Sequence, residues 1–365
     1  MNDKVVRRVL YPLHERLKRK PTFRRLEELE HTQWLSPERI AEYQFTRVQR
    51  LLEFAYAHVP YYRTLLDKHR LPGGRLESPN DIQSIPFLTR ELIRTRFDDL
   101  RARARLPRVH KRSSGGSTGA PVTVLVDMAR MGFGEAARMR AQRWFGIPVG
   151  AREIVLWGSP IEASRQGLVR KMRDWCLNTR LLSAFDMSEE SLARHAAVIR
   201  EFRPTKLYGY ASAICLLAEY FERESLPHPR GLRAVFTTAE PLFDFQRKTI
   251  ETVFGCRVAV EYGCRDAGLV ALECPAEGLH IAAEGMYVEI LDPDDEGRGE
   301  IVLTNLESKA FPIVRYRTGD FGSLDPSPCT CGRGLPKLRA VESKVAEAFL
   351  ERLMVPTHSQ GASSP

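Results

Sequence analysis

The chain has 365 residues, 43% of them hydrophobic and 28% charged, which suits one large α/β body or two domains of a globular protein. No stretch approaches the roughly 20 apolar residues of a membrane span, and the basic N-terminus has no apolar core of the secretory kind, so the reading is a cytoplasmic protein. Net charge is +9, but the bases are spread along the chain, densest at Arg7 to Arg25 and Arg94 to Arg112. That spread argues against nucleic acid and suits an anionic nucleotide.

In chain order, the first hundred residues read as helical. Ser36 followed by Pro37 forms a helix start, and Ile40, Tyr43, Phe45, Val48, Leu51, Leu52 and Ala55 follow on one face. Val59-Pro60-Tyr61-Tyr62 stops that helix, and Ile85 to Arg90 links to another. From about residue 109 strands and helices alternate. Strands are predicted at 122–126, 153–158, 206–210, 232–238 and 258–262, with helices at 128–145, 188–202, 211–224 and 242–254. Such alternation implies a largely parallel sheet. Beyond residue 279 the chain turns β-rich, with strands at 286–291 and 300–305. The expected division is a helical segment 1–108, an α/β nucleotide-binding core 109–278, a β-rich part 279–345, and a hinge remnant and disordered tail 346–365.

Ser113 to Gly119 packs three glycines and four hydroxyl residues into seven positions. Glycines let backbone N–H groups approach a polyphosphate, and hydroxyls add donors. It is not a Walker A loop, because Ala120-Pro121 follows where Lys-Ser/Thr is required. Alone, the segment can also read as a flexible surface loop. Glu261-Tyr262-Gly263-Cys264-Arg265-Asp266 closes a predicted strand, and Arg315 to Asp320 lies further on. Open α/β sheets place ligands at strand ends. A carboxylate there can hold Mg²⁺, and Asp320 can accept from ribose hydroxyls or be a plain turn acid.

Seven cysteines, an odd number, argue against a disulfide framework. Cys274 and His280 pair in type with Cys329 and Cys331, a four-ligand N/S set suited to closed, structural zinc. The alternative is buried thiols beside a surface histidine. Cys176, Cys215, Cys256 and Cys264 read as packing residues.

These pieces in order, with Gln33-Trp34-Leu35-Ser36, Tyr208-Gly209-Tyr210-Ala211-Ser212 and Thr237 to Leu242, resemble the phenylacetate–CoA ligase family of adenylate-forming enzymes, in the branch linked to capsular polysaccharide biosynthesis. Members of this branch carry the same Cys…His…Cys-x-Cys pattern, which strengthens the zinc reading. The resemblance implies an α/β adenylate-forming N-terminal domain and activation of an aryl or acyl carboxylic acid by ATP. An acyl-adenylate forms and passes to coenzyme A or another nucleophile. By the same resemblance Ser114, Gly115, Gly116, Ser117, Thr118 and Gly119 hold the β- and γ-phosphates. Ala239, Glu240 and Pro241 with Glu261, Tyr262 and Gly263 frame the adenine, Asp266 binds Mg²⁺, and Asp320 binds the ribose. Trp157, Tyr208 and Tyr210, at predicted strand ends, are candidates for the acyl pocket or for core aromatics.

Two departures from the family pattern stand out. Asp266 replaces a Glu, one methylene longer, and Lys344 stands where an Arg is usual near the hinge, keeping charge without the planar fork. The chain also ends at Pro365, before the family's C-terminal domain with its adenylation lysine and rotating lid. The expected partners are therefore a small carboxylic acid and an acyl acceptor, carrier or partner chain supplying that domain. A homodimer is compatible with this reading. The alternative function is a nucleotide-binding scaffold of the same fold that has lost turnover.

Overall fold

The computed structural model describes residues 3–113, 121–158 and 168–342. It opens with α1 (Asp3–Val5), a π-turn (Val6–Leu10), α2 (Tyr11–Leu17), α3 (Thr22–Thr32) and α4 (Pro37–His58). The predicted start of α4 holds: Ser36 accepts a hydrogen bond from the Arg39 N–H at 3.4 Å, and Pro37 occupies the first turn. Ile40, Val48, Leu51, Leu52 and Ala55 are its buried face. The predicted stop falls at Val59, but Pro60 at once opens α5 (Pro60–Lys68), because a first-turn residue needs no N–H to donate. Thr89 caps α6 (Arg90–Thr95), accepting from the Leu92 N–H at 3.2 Å, and α7 (Phe97–Leu100) follows.

A two-stranded antiparallel sheet pairs β1 (His110–Ser113) with β2 (Thr123–Val126). Asp127 then caps α8 (Met128–Trp144). Its Oδ1 accepts from the Arg130 N–H at 3.0 Å, and its Oδ2 accepts from Lys309 and Ala310 N–H at 2.9 and 2.8 Å. A single carboxylate thus fixes the helix start against a distant loop.

Among the described residues the main sheet has eleven strands. β3 (Glu153–Leu156), β4 (Thr179–Leu182), β5 (Lys206–Gly209), β6 (Ala234–Thr238) and β7 (Arg257–Cys264) pair in parallel in the spatial order β4-β3-β5-β6-β7. α9 (Leu168–Cys176), α10 (Glu189–Phe202), α11 (Ala211–Arg223) and α12 (Asp244–Phe254) intervene along the chain. Parallel neighbours need such crossovers. Past β7 every pairing is antiparallel, through β8 (Gly268–Glu273), β9 (Leu279–Ile281), β13 (Lys337–Glu342), β12 (Ile313–Asp325), β11 (Gly299–Asn305) and β10 (Met286–Leu291). The sheet is therefore mixed: parallel where helices return the chain, antiparallel where short turns do.

Ile154, Leu156, Leu207, Val235 and Val258 pack one core with Ile199, Ile214, Phe221, Ile250 and Phe254 of α10 to α12. A larger core joins the N-terminal helices to β8–β13. The helical segment is also stitched to the sheet by main chain. Leu88 donates to the Arg315 carbonyl at 2.9 Å and accepts from the Arg317 N–H at 3.0 Å. Among the described residues no helix is long and apolar enough to cross a membrane.

Candidate active site and metal centre

The carboxyl ends of β3, β5, β6 and β7 lie along one edge and carry Trp157, Tyr210, Ala239–Pro241 and Tyr262–Asp266 in turn. A crevice at that edge is where α/β sheets hold ligands. The strands approach closely: a Cβ on Gly209 would come within 2.4 Å of the Leu156 carbonyl oxygen. Glu240 turns back to accept from the Ser212 N–H in the first turn of α11. Ala239 sits at φ +69°, a left-handed backbone that costs an L-residue energy and is held by its surroundings.

Asp266 is buried between three elements. Its Oδ2 accepts from the Tyr316 hydroxyl at 2.8 Å, and Arg90 Nε lies 3.8 Å from the same oxygen. Its loop is pinned by two groups that the sequence did not single out. Arg130 donates to the Asp266 carbonyl at 2.7 Å, and Asn305 donates to the Ala267 carbonyl at 2.6 Å. Burial pulls the Arg130 guanidinium down to about 10, which leaves it charged at neutral pH. The Oδ1 of Asp266 has no hydrogen-bond partner among the described residues. A buried, uncompensated carboxylate oxygen fits a hard cation.

Tyr262 donates to Oδ2 of Asp320 at 3.0 Å. Burial, then the Asp320 charge, raise the Tyr262 hydroxyl well above its usual range, so it remains a donor. Thr318 Oγ1 accepts from the Asp320 N–H at 2.9 Å and donates to the Ile301 carbonyl at 2.7 Å, fixing the turn. Glu261 points the other way, as alternate strand residues do. Its carboxylate takes both donors of Arg138, at 2.7 and 2.8 Å, and the Tyr208 hydroxyl at 2.9 Å. Glu261 is thus engaged by Arg138 and Tyr208, while Tyr262 meets Asp320. Ser113 and Thr123, paired between β1 and β2, exchange a 2.9 Å hydroxyl contact. Arg265 donates to the Ser113 carbonyl at 3.1 Å, tying the end of β1 to the Asp266 loop. Ser114, Gly115, Gly116, Ser117, Thr118 and Gly119, and also Lys344, lie outside the described residues.

Trp157 stacks on Tyr210 with centroids 4.4 Å apart and planes 9° apart, and it lies 6.3 Å from Tyr208. Trp157 and Tyr208 line a cavity of ≈ 300 Å³ between β3, β5 and α8. Its walls are mixed. Tyr11 donates to Glu135 at 2.7 Å, and Lys206 pairs with Glu153 at 2.9 Å.

Cys274, His280, Cys329 and Cys331 bring their ligand atoms within 4.8 Å of one another. The Cys274–Cys329 sulfur separation is 3.7 Å, and His280 Nε2 lies 3.2 Å from the Cys331 sulfur. Tetrahedral zinc with bonds of about 2.3 Å sets sulfurs about 3.8 Å apart. His280 Nδ1 lies 3.1 Å from the Leu335 carbonyl, which suits an Nδ1–H tautomer and leaves Nε2 for a metal. Burial pushes His280 down to about 4, so the imidazole is neutral, as a ligand must be. Arg333, next in the knuckle, donates to Gln33 Oε1 at 3.1 Å and lies over the rings of Trp34 and Trp144. The cluster therefore joins β8, β9 and the 329–335 loop to the end of α3.

The fold is shared with solved CoA ligases. The structure superposes on a 2-hydroxyisobutyryl-CoA ligase, solved with its acyl-AMP and CoA, at a TM-score of 0.68 and 20% identity, covering 86% of this chain and 69% of that one. No family model matches the chain. The phenylacetate–coenzyme A ligase of Thermus thermophilus is 28% identical over 313 residues, 82% of this chain and 69% of that protein. That of Escherichia coli is 28% identical over 324 residues, covering 82% and 71%. The CapK protein of Staphylococcus aureus is 25% identical over 292 residues, covering 78% of this chain and 63% of CapK. By sequence the chain is similar to the phenylacetate–coenzyme A ligases, and by fold to a 2-hydroxyisobutyryl-CoA ligase.

Proposed function

We propose that the chain binds ATP in the crevice and activates a small carboxylic acid as its acyl-adenylate, for transfer to coenzyme A or another nucleophile. The observation that carries this reading is the buried Asp266, whose Oδ1 lacks a hydrogen-bond partner among the described residues, two residues past the strand β7 that carries Tyr262, the partner of Asp320. Asp266 is the Mg²⁺ ligand, and the ion supplies neutralising charge to the phosphates when bound. Asp320, oriented by Tyr262, accepts from the ribose hydroxyls. Ala239–Pro241 and Tyr262–Gly263 flank the base, and the 114–119 loop takes the β- and γ-phosphates. Glu261 borders the base with Tyr262 and is held in place by Arg138 and Tyr208. These residues chiefly position reactants and neutralise developing charge. The Cys274–His280–Cys329–Cys331 set holds a structural zinc ion.

The acid enters beside Trp157 and Tyr210 and extends into the cavity lined by Tyr208. Lys344, the catalytic candidate near the hinge, meets the nucleotide as a point charge. A partner or further domain that supplies a lid would complete thiol transfer.

ATP–pyrophosphate exchange with a panel of aryl and acyl acids tests the reading, alongside nucleotide binding by Asp320→Ala. Exchange with at least one acid, and a nucleotide affinity loss of about tenfold or more, are expected, since hydrogen bonds to charged groups are worth about 1.5–3 kcal/mol. Nucleotide binding without exchange would make the isolated chain a scaffold. Unchanged affinity in Asp320→Ala would remove the ribose assignment.

A further inference from the structure

We propose that the outer face of the N-terminal helical segment docks on an anionic membrane surface. Val5, Val9, Leu13 and Leu17 are 44%, 54%, 50% and 67% exposed. Their spacing of four places them in one row along α1, the π-turn and α2, and Arg8, Pro12 and Arg16 fall beside that row. A soluble helix normally turns such a row inward.

The opposite face fixes the row's direction. Val6 is fully buried and packs over Gly150, where an added Cβ would come within 2.8 Å of its Cγ1. Glu15 is buried and accepts from Thr22 at 2.5 Å and Lys20 at 3.4 Å, and Tyr11 donates to Glu135. The helix therefore cannot roll its aliphatic row inward without breaking these contacts.

Charge selects the occupant. Residues 3–20 hold seven Lys and Arg against two acids. Arg8, Arg16 and Arg19 make no ion pair among the described residues. Beside the end of α2 a basic groove of ≈ 490 Å³ is lined by Lys18, Lys20, Arg108, Lys111 and Arg112 among others. Arg108 ties the groove to the helix by donating to the Leu17 carbonyl at 3.4 Å. Burial, then the charges of Lys20 and Arg173, lower Lys18 from its ordinary value. The neighbouring α9 exposes Met172 and Trp175 and is held near by Asn178 donating to Asp3 at 3.0 Å.

A second copy of this face would bring like charges together, and nucleic acid offers four aliphatic side chains nothing. A bilayer with acidic lipids meets both needs: the acyl boundary takes Val and Leu, and the phosphates take Arg and Lys.

The test is co-sedimentation of the purified chain with phosphatidylcholine vesicles, with and without phosphatidylglycerol. Binding to the anionic vesicles about tenfold or more above the neutral ones is expected, falling with added salt. Leu13→Glu with Leu17→Glu, and separately Arg8→Glu with Arg16→Glu, should each abolish it while the unfolding midpoint and nucleotide affinity stay unchanged. No vesicle binding, equal binding to both vesicle types, or variants that bind as well as the parent would overturn the proposal. A self-association that Leu13→Glu removes, without vesicle binding, would assign the row to a second copy instead.

Discussion

Tyr316 donates its hydroxyl to Oδ2 of Asp266 at 2.8 Å, although the two residues belong to separate pieces of the sheet fifty positions apart. Burial and then the Asp266 charge lift the Tyr316 hydroxyl far above its usual range, so it stays protonated and donating. Tyr316→Phe leaves Oδ2 short of a donor in a buried site. A stability loss of about 1–3 kcal/mol in urea unfolding is expected. Nucleotide affinity should fall in the presence of Mg²⁺ and hold without it. A parent-like result in both measurements would mean that the bond neither supports the fold nor orients the carboxylate.

The cysteine–histidine cluster predicts about one zinc per chain after purification without chelator, measured by atomic absorption. Cys274→Ser or Cys331→Ser should bring this below half an equivalent and lower the melting temperature by several degrees. Activity per folded molecule should be little changed, because a closed four-ligand site leaves no position for substrate.

Arg140 and Glu284 form an ion pair at 2.5 Å with both side chains 1% exposed, and Thr32 donates to the same Glu284 oxygen at 2.6 Å. Glu284→Ala strands a buried guanidinium and should cost about 3–5 kcal/mol. Arg140→Met combined with Glu284→Leu removes both charges and should cost less than the single change. Equilibrium denaturation of the three proteins checks the order.

His195 on α10 is buried, and burial followed by the Arg194 charge lowers its folded-state pKa below 6.5. The unfolded chain therefore takes up this proton first as pH falls. The stability held by neutral His195 is fully present above about pH 6.5 and is lost as pH drops from there through the folded pKa. His195→Gln should flatten this part of the stability–pH curve, as read from denaturant midpoints between neutral and mildly acidic pH.

Trp157 lies parallel to Tyr210 at 4.4 Å and lines the cavity with Tyr208. Aromatic pairs of this kind are worth about 0.5–1.5 kcal/mol beyond their area, so Trp157→Ala should weaken aryl-acid binding by about threefold to tenfold. Nucleotide affinity should be unchanged. Calorimetric titration with each ligand separates the two effects.

Much of this protein was legible locally. The cap at Ser36, the alternation of strands and helices from residue 153 to 264, and the Cys274, His280, Cys329, Cys331 set follow from short-range chemistry: side-chain capping, hydrophobic period and ligand type. The order of motifs likewise carries the resemblance to the phenylacetate–CoA ligases. The tertiary structure decided what depends on partners distant in sequence. It turned the sheet antiparallel past β7, paired β9 with β13, and set Glu261 against Arg138 while Tyr262 met Asp320. It placed Arg130, Asn305 and Tyr316 around Asp266, from segments that no window of sequence contains. It also showed which face of residues 3–17 is outward. Amphipathic spacing marks a stripe, but only the packing of Val6 and Glu15 determines where that stripe points.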